Sequence, residues 1–432
     1  MVYLRRKEKS PLCENLIPPS GKGADDAVST IKSLFPAEFY QRVFLVGGSV
    51  RDHLTGQSIS DVDLVTDLPV GQLVKLGFHH VQGKSTGPIY FKSHPQFGKL
   101  EVTVLEHGQT LEDALHNRDF SCNAIAMTLN GTIVDPLCGL KDINKGLLAP
   151  CSADILEKDP LRMFRAFRFE CHGWRITDEL LDAITAHSWD DQLSTIPTER
   201  FAREMLRAME GGQPDIFFSR MVELGIGRCY LPEIFQMQDV PAGPVKYHGE
   251  DTVFSHSRDT LRRIAVLTNA PVARLAAFFH DLGKLATPPK MLPRHIGHDK
   301  VGETTAKKVC VRLKLPTSYC RAVETVNALH LVAGRWHELK PATKLKLARQ
   351  SLKSGIAAWL PLIVSADRNI DNSMPGWEIV CKAAAMSATE LGITLETLEN
   401  IPTAGRQRLV WQFQMERCKV ILQNLELTTD EQ

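Results

Sequence analysis

Two carboxylates set two residues apart, Asp61 and Asp63 in Ser60-Asp-Val-Asp-Leu-Val65, follow shortly after Leu45-Val-Gly-Gly-Ser-Val-Arg-Asp52. Residues two apart on a strand point to the same side, so a strand here presents Asp61 and Asp63 together and packs Val62 and Leu64 behind them. Paired hard oxygen donors suit Mg²⁺, which takes few protein carboxylates and fills its shell from substrate phosphates. Gly47 and Gly48 let a strand-to-helix turn come close to a triphosphate, and a helix starting near Ser49 would aim its unpaired N–H groups at that anion. Either motif alone is equally an ordinary turn or a solvated strand edge. In this order and spacing they point to nucleotidyl transfer.

A second set of residues lies far downstream. Phe278-Phe-His280-Asp281-Leu-Gly-Lys284 follows an apolar run, with Tyr247-His-Gly-Glu-Asp-Thr-Val-Phe-Ser-His256 upstream. Arg294-His295-Ile-Gly-His298, Leu329-His330 and Ser365-Ala-Asp367 come after it. Taken by itself, His280-Asp281 is also compatible with a capped surface turn. Imidazoles combined with carboxylates suit a transition metal such as Ni²⁺, Mn²⁺ or Co²⁺.

Elements to position these residues are legible around them. Strand-like runs at Val43–Val46, Asp61–Val65, Ile89–Lys92, Leu100–Leu105 and Ala124–Leu129 alternate with turns and two helical stretches. Past Cys151 strand signals nearly vanish and 3.6-residue periodicity takes over, as in Leu161-Arg-Met-Phe-Arg-Ala-Phe-Arg168. The expected fold class is α+β: a small mixed α/β head followed by a mainly α-helical body. Residues 1–35 read as an N-terminal extension, with order beginning near Arg42. At 432 residues the chain is too long for one core.

Composition narrows the function classes. The 51 Lys+Arg against 50 Asp+Glu give a net charge of +1, which argues against a whole surface devoted to nucleic acid and leaves room for a local basic face. No run approaches the roughly 18 apolar residues of a membrane helix. The 10 cysteines form no Cys-x-x-Cys pair and fit reduced thiols, so a cytoplasmic protein with no membrane partner is expected.

Taken together, Gly47-Gly48-Ser-Val-Arg51-Asp52, Asp61-Val-Asp63, Asn117-Arg118-Asp119-Phe-Ser-Cys-Asn123-Ala124 and Lys158-Asp159-Pro-Leu-Arg162-Met-Phe-Arg165-Ala-Phe-Arg168 resemble the motifs of the class II tRNA nucleotidyltransferases and the related bacterial poly(A) polymerases. His256, His280, Asp281 and Asp367 are similar to the metal-binding set of the HD phosphohydrolases, a domain that one branch of this family carries. The resemblance implies that Asp61 and Asp63 hold two Mg²⁺ ions in a two-metal displacement, with Glu101 as a third carboxylate or an exposed strand residue. It implies that Gly47, Gly48 and Arg51 belong to the nucleotide site, that Arg118 and Asp119 contact triphosphate and ribose, and that Asn123 shapes the sugar pocket. Asp159 and Arg162, three apart on a helix, would read the base edge of CTP or ATP; Asp159 before Pro160 is equally a helix start. Arg165 and Arg168 continue the basic face. His298 and His330 would touch substrate phosphate or a second metal, whereas His295 and His337 read as surface or core histidines.

The implied partners are tRNA, CTP and ATP, with a phosphatase or 2′,3′-cyclic phosphodiesterase activity alongside. The implied layout is a head at 36–150, a base-recognition and neck region at 151–240, an HD domain at 241–375 and a helical tail at 376–432. Three positions depart from the family pattern. Asn117 stands for an Arg and Lys158 for a Glu. Between Leu105 and Glu112 the usual long flexible loop is short, with Glu106 at its leading Arg, which points toward C-C addition alone. Many-nucleotide products, or an inactive head on a hydrolase or RNA-binding protein, are the further alternatives.

Overall fold

The computed structural model describes residues 22–59, 62–81, 88–248 and 251–429; Asp61 lies outside the described residues. The chain divides into two compact units, Met1–Ala166 with Trp174–His187, and Phe167–Gly173 with Ser188–Gln432. No helix among the described residues is long and apolar enough to cross a membrane.

The first unit is built on β1 (Val43–Val46), β2 (Val62–Thr66), β3 (His79–Val81), β4 (Ile89–His94), β5 (Gly98–Val104), β6 (Ala126–Thr128) and β7 (Ile133–Val134), in the order β3-β4-β5-β2-β1-β6-β7. Only the β2–β5 pair is parallel. Alternation sets the faces: β5 buries Leu100, Val102 and Val104 and turns Glu101 to the other side, and in β2 Val62 and Leu64 are buried around Asp63. Val50 and Leu54 of the helix Gly48–Leu54 join Val43, Leu45, Leu64 and Val102 in one core.

Order begins earlier than the sequence suggests. A helix at Lys22–Lys32 places Ala27 and Ile31, four residues apart, in the head core, and Phe35 beyond it stacks on Phe78 with ring centroids 5.8 Å apart. The apolar residues here are few in a polar, Pro-, Ser- and Lys-containing stretch, and tertiary packing supplies what propensity does not. The short strands β3 and β7 were likewise not expected. Nor does the sequence signal a two-residue parallel ribbon, β8 (Leu147–Leu148) with β9 (Arg175–Ile176), which extends the first unit past residue 150.

The second unit is helical, so the fold class is α+β as expected. Its core is aromatic: Phe218 stacks on Phe278 at 3.8 Å between centroids, and Phe201 on Tyr230 at 4.4 Å. Arg274, only 1 % exposed, replaces lost hydration with carbonyl acceptors at Met209, Gly211, Ala265 and Thr268 and the Asn269 side chain. The helix Val253–Leu267 starts at a capping box between Thr252 and Ser255.

Candidate functional site

In the head, parallel pairing of β2 with β5 sets Asp63 directly beside Glu101. Burial first, and then the neighbouring Asp63, push the Glu101 carboxyl above its usual range, against the pull of Lys99 and Arg118. Two adjacent carboxylates, one of them made uncomfortable by the other, are a site that a divalent cation relieves, and oxygen donors fit Mg²⁺. The buried Ser49 hydroxyl accepts from the Asp63 N–H at 3.2 Å and ties the strand to the helix Gly48–Leu54.

Gly47 starts that helix at φ +70°, and a Cβ there would collide with the Arg118 guanidinium. Glycine is therefore needed both for the backbone conformation and for the close approach. Behind it runs a continuous polar chain. Arg51 donates to Asp52 at 2.7 and 3.0 Å and to Asn123 Oδ1 at 2.7 Å. Asn123 donates to Asp119 Oδ1 at 3.0 Å, which also accepts from the Phe120 N–H. Arg165 grips Asp119 Oδ2 through two bonds of 2.8 and 2.6 Å. Burial works to raise the Asp119 carboxyl, but Arg165 and Asn123 outweigh it and hold it well below the usual carboxylate range.

The base-reading pair is arranged differently from the expectation of one shared helix. Asp159 sits in extended backbone (φ −156°, ψ 93°) between the helices Ile155–Lys158 and Arg162–Cys171. Pro160 excludes the helical region for the residue before it. The Asp159 carboxylate accepts from the Leu161 N–H at 3.3 Å, so the helix-start role is present. Arg162 is held by the carbonyls of Asn117 (2.9 Å), Ile155 (3.3 Å) and Arg118 (3.4 Å). The two motif departures touch each other: Lys158 Nζ donates to Asn117 Oδ1 at 3.2 Å and pairs with Asp154 at 3.0 Å.

Arg168 belongs to the second unit and pairs with the buried Glu204 at 2.6 Å. The connection after β5 is a closed turn, with the Gln109 N–H donating to the Glu106 carbonyl and the Gln109 side-chain oxygen accepting from the Glu106 N–H. A capping box between Thr110 and Asp113 follows at once.

In the second unit the expected residues converge. His256 comes from the first turn of Val253–Leu267, His280 and Asp281 follow Pro271–Phe278, His298 opens His298–Arg312, His330 lies in Thr317–Gly334 and Asp367 in Leu360–Arg368. His256 Nε2 is 2.9 Å from Asp367 Oδ1, and His280 Nε2 lies 3.2 Å from the same oxygen and 3.1 Å from Asp281 Oδ2. On the other side, Asp281 Oδ1 is 3.2 Å from His298 Nε2 and 3.5 Å from His330 Nε2. Two triads, His256–His280–Asp367 and Asp281–His298–His330, could each hold a metal ion.

The second layer supports that reading. Nδ1 of His280, His298 and His330 each faces a backbone carbonyl, at 2.7, 2.6 and 3.1 Å, which orients the three Nε2 atoms inward. His280 Nε2 and Asp281 Oδ2 are buried without a well-aligned hydrogen bond despite their proximity, an arrangement that a cation between them would satisfy. Mixed imidazole and carboxylate donors fit a transition metal. A Cβ at Gly283 would overlap the His298 carbonyl and the Gly302 backbone, so glycine lets the turn after His280-Asp281 seat against the helix that supplies His298.

The cluster floors a cavity of about 960 Å³. His295 also lines it, with Nε2 2.8 Å from the Pro241 carbonyl, and His337 is exposed. Sequence reasoning assigned no role to Lys284, which pairs with Asp281 at 2.7 Å; its place three residues on in the same motif was the available signal. Arg263, Arg335 and Arg368, also on the cavity wall, carried no signal beyond the adjacency of Arg368 to Asp367.

Comparison with known proteins agrees with the division into a nucleotidyltransferase-type head and an HD-containing helical body. The model of the Poly A polymerase head domain matches residues 43–103 and 85–149. A "Probable RNA and SrmB- binding site of polymerase A" matches 173–237 and an HD domain 253–359. The multifunctional CCA protein of Legionella pneumophila strain Philadelphia 1 is 32% identical over 329 residues, covering 72% of this chain and 79% of that protein; the counterpart from strain Lens is equally similar. The Bacillus stearothermophilus CCA-adding enzyme in complex with CTP shares the fold at a TM-score of 0.60 and 19% identity, covering 95% of this chain and 100% of that one. The Thermotoga maritima enzyme complexed with tRNA does so at 0.57 and 17%, over 93% and 96%. With a polymerase-type head, an HD domain and this length of matched chain, the protein belongs to the class II CCA-adding nucleotidyltransferases that carry an HD domain.

Proposed function

We propose that the chain adds C and A from CTP and ATP to the 3′ end of immature or damaged tRNA in the cytoplasm, without a nucleic-acid template, and that its second cavity hydrolyses phosphate esters at RNA ends. The observation that carries the first part is the pairing of Asp63 with Glu101 beside the Gly47–Arg118 turn. Asp61, Asp63 and Glu101 would hold Mg²⁺, which when bound activates the attacking 3′-hydroxyl and neutralises the leaving pyrophosphate. Gly47 and Gly48 leave room for the triphosphate, Arg118 meets its charge, and Arg51, Asn123 and Asp119 form one braced wall of the sugar pocket. Asp159 and Arg162, with Arg165 fixing Asp119 beside them, read the base edge. Folds like this one have been seen with CTP, ATP and tRNA, which supports that ligand class.

In the HD cavity, His256, His280, Asp281 and Asp367, with His298 and His330 opposite, would hold Ni²⁺, Mn²⁺ or Co²⁺, which supplies Lewis-acid polarisation of phosphate when bound. Opening a 2′,3′-cyclic phosphate adds water across one ester bond: the water oxygen bonds phosphorus, a ribose oxygen leaves, and that oxygen takes the proton. Cleavage at O3′ frees the hydroxyl that the head requires. The functional division proposed is 36–150 for transfer, 151–240 for base recognition, 241–375 for hydrolysis, and the tail, with Arg406, Arg408, Arg417 and Lys419, for tRNA.

Purified protein with Mg²⁺ and tRNA lacking C-C-A, given CTP, ATP or both and resolved at single-nucleotide length, tests this. Three additions with both nucleotides are expected. Two that stop would favour the second reading, C-C addition alone, which the tight turn at 105–110 motivates; long tails would mean poly(A) synthesis, and no addition would sink the transferase reading.

A further inference from the structure

The wall of the HD cavity carries more positive charge than its metal cluster uses. Lys284 is committed to Asp281 and to the Ala242 carbonyl. Three guanidiniums remain. Each follows a cluster residue closely in the chain: Arg263 lies seven residues after His256, Arg335 five after His330 and Arg368 one after Asp367. Arg263 donates to the Ala366 carbonyl at 2.5 Å, and Arg368 donates to the Gly334 carbonyl, so both are spent largely on backbone. Among the described residues no carboxylate lies within 4.0 Å of any of the three, although Asp251 stands on the same wall.

Arg335 stands out among them. It is exposed and caps the C-terminus of the helix Thr317–Gly334. Its own backbone is pinned by N–H bonds to Val332 and Ala333, and Arg368 holds the carbonyl of the residue before it. Arg335 lines the same cavity as the cluster, and about one and a half helical turns, roughly 7.5 Å of rise, separate its backbone from that of His330. A pinned backbone, a solvated fork of donors and no acidic partner form a receptor for a phosphate other than the one being hydrolysed.

We infer that Arg335 binds the phosphodiester next upstream of the scissile group, so that the substrate of the HD cavity is the end of an RNA strand rather than a free mononucleotide. This rests on the hydrolase reading above. The test uses protein loaded with Ni²⁺ or Mn²⁺, wild type against Arg335→Ala and Arg335→Lys. It compares an adenosine 2′,3′-cyclic monophosphate with a trinucleotide ending in the same cyclic phosphate. Arg335→Ala should raise KM for the trinucleotide about tenfold, move KM for the mononucleotide less than twofold, and leave kcat for both in place, with Lys restoring part of the loss. The salt dependence of trinucleotide binding, followed by fluorescence anisotropy, should lose about 0.7 of its logarithmic slope, the value of one single-strand phosphate contact. Equal changes on both substrates, or none on either, would overturn the assignment. Absence of hydrolysis by the wild type would remove the hydrolase reading alone, because the anisotropy difference still decides whether Arg335 holds the strand.

Discussion

The head offers its carboxylates from the face of a sheet, with the Glu101 side chain 37% exposed, whereas the second unit encloses His280 and Asp281 at 1% exposure each. One set offers oxygen donors alone and is open to solvent. The other supplies its own nitrogen and oxygen ligands, with their outer atoms already braced by main-chain carbonyls. The contrast teaches that carboxylates left open on a sheet face can be set by two strands, while an enclosed cluster of histidines and aspartates needs five separate elements and carbonyl acceptors behind the imidazoles.

Separate chemistry predicts reciprocal lesions, and these should be the largest effects. Asp63→Ala should cut nucleotide incorporation by at least about 10³-fold and spare hydrolysis of a cyclic phosphate, and His280→Ala should do the reverse. Parallel losses in single-turnover assays of both reactions would collapse the comparison. Next comes exchange of metals. After stripping with a chelator, Mg²⁺ should restore incorporation and leave hydrolysis low, and Ni²⁺, Mn²⁺ or Co²⁺ should restore hydrolysis; recovery of both by Mg²⁺ alone would erase the distinction.

A smaller effect concerns acid stability of the head. Because the Asp119 carboxyl is held below its unfolded value, its contribution to stability is complete above about pH 4 and is lost as pH falls toward the folded-state value. Asp119→Asn should therefore lower the thermal midpoint at pH 7 and narrow the gap to wild type at pH 3, as followed by circular dichroism. The smallest expected change is at the linked departures. Lys158→Ala and Asn117→Ala should each shift the CTP-to-ATP preference by only a few-fold, and the double variant should shift it no further than one of them if both act through the contact they share. Additive shifts would show that the two residues act independently.

Much of this was legible before the coordinates. Period-2 alternation placed Asp63 on a strand, and the Gly-Gly turn before it stood out as room for a triphosphate; the clearance it gives Arg118 is visible only in the structure. The histidines and aspartates of the second unit were recognisable by type and order. What stayed hidden depended on pairings distant in sequence: Asp119 with Arg165, Arg168 with Glu204, and Lys158 with Asn117. An arginine in a helix looks the same whether it faces a nucleotide or a buried glutamate. The break at Asp159 was partly readable, since the Pro160 that ends one helix also denied Asp159 and Arg162 a common one.

Gly283 touches no substrate and contributes no ligand, yet the overlap described for any side chain there means that enlarging it would displace the backbone around His298 and Gly302. A scan of all substitutions would then register this position as intolerant as the histidines themselves, while nucleotide incorporation by the head continued. On the proposed reading, hydrolysis is thus exposed to loss through a residue of no chemistry, as transfer is through Gly47 in the head.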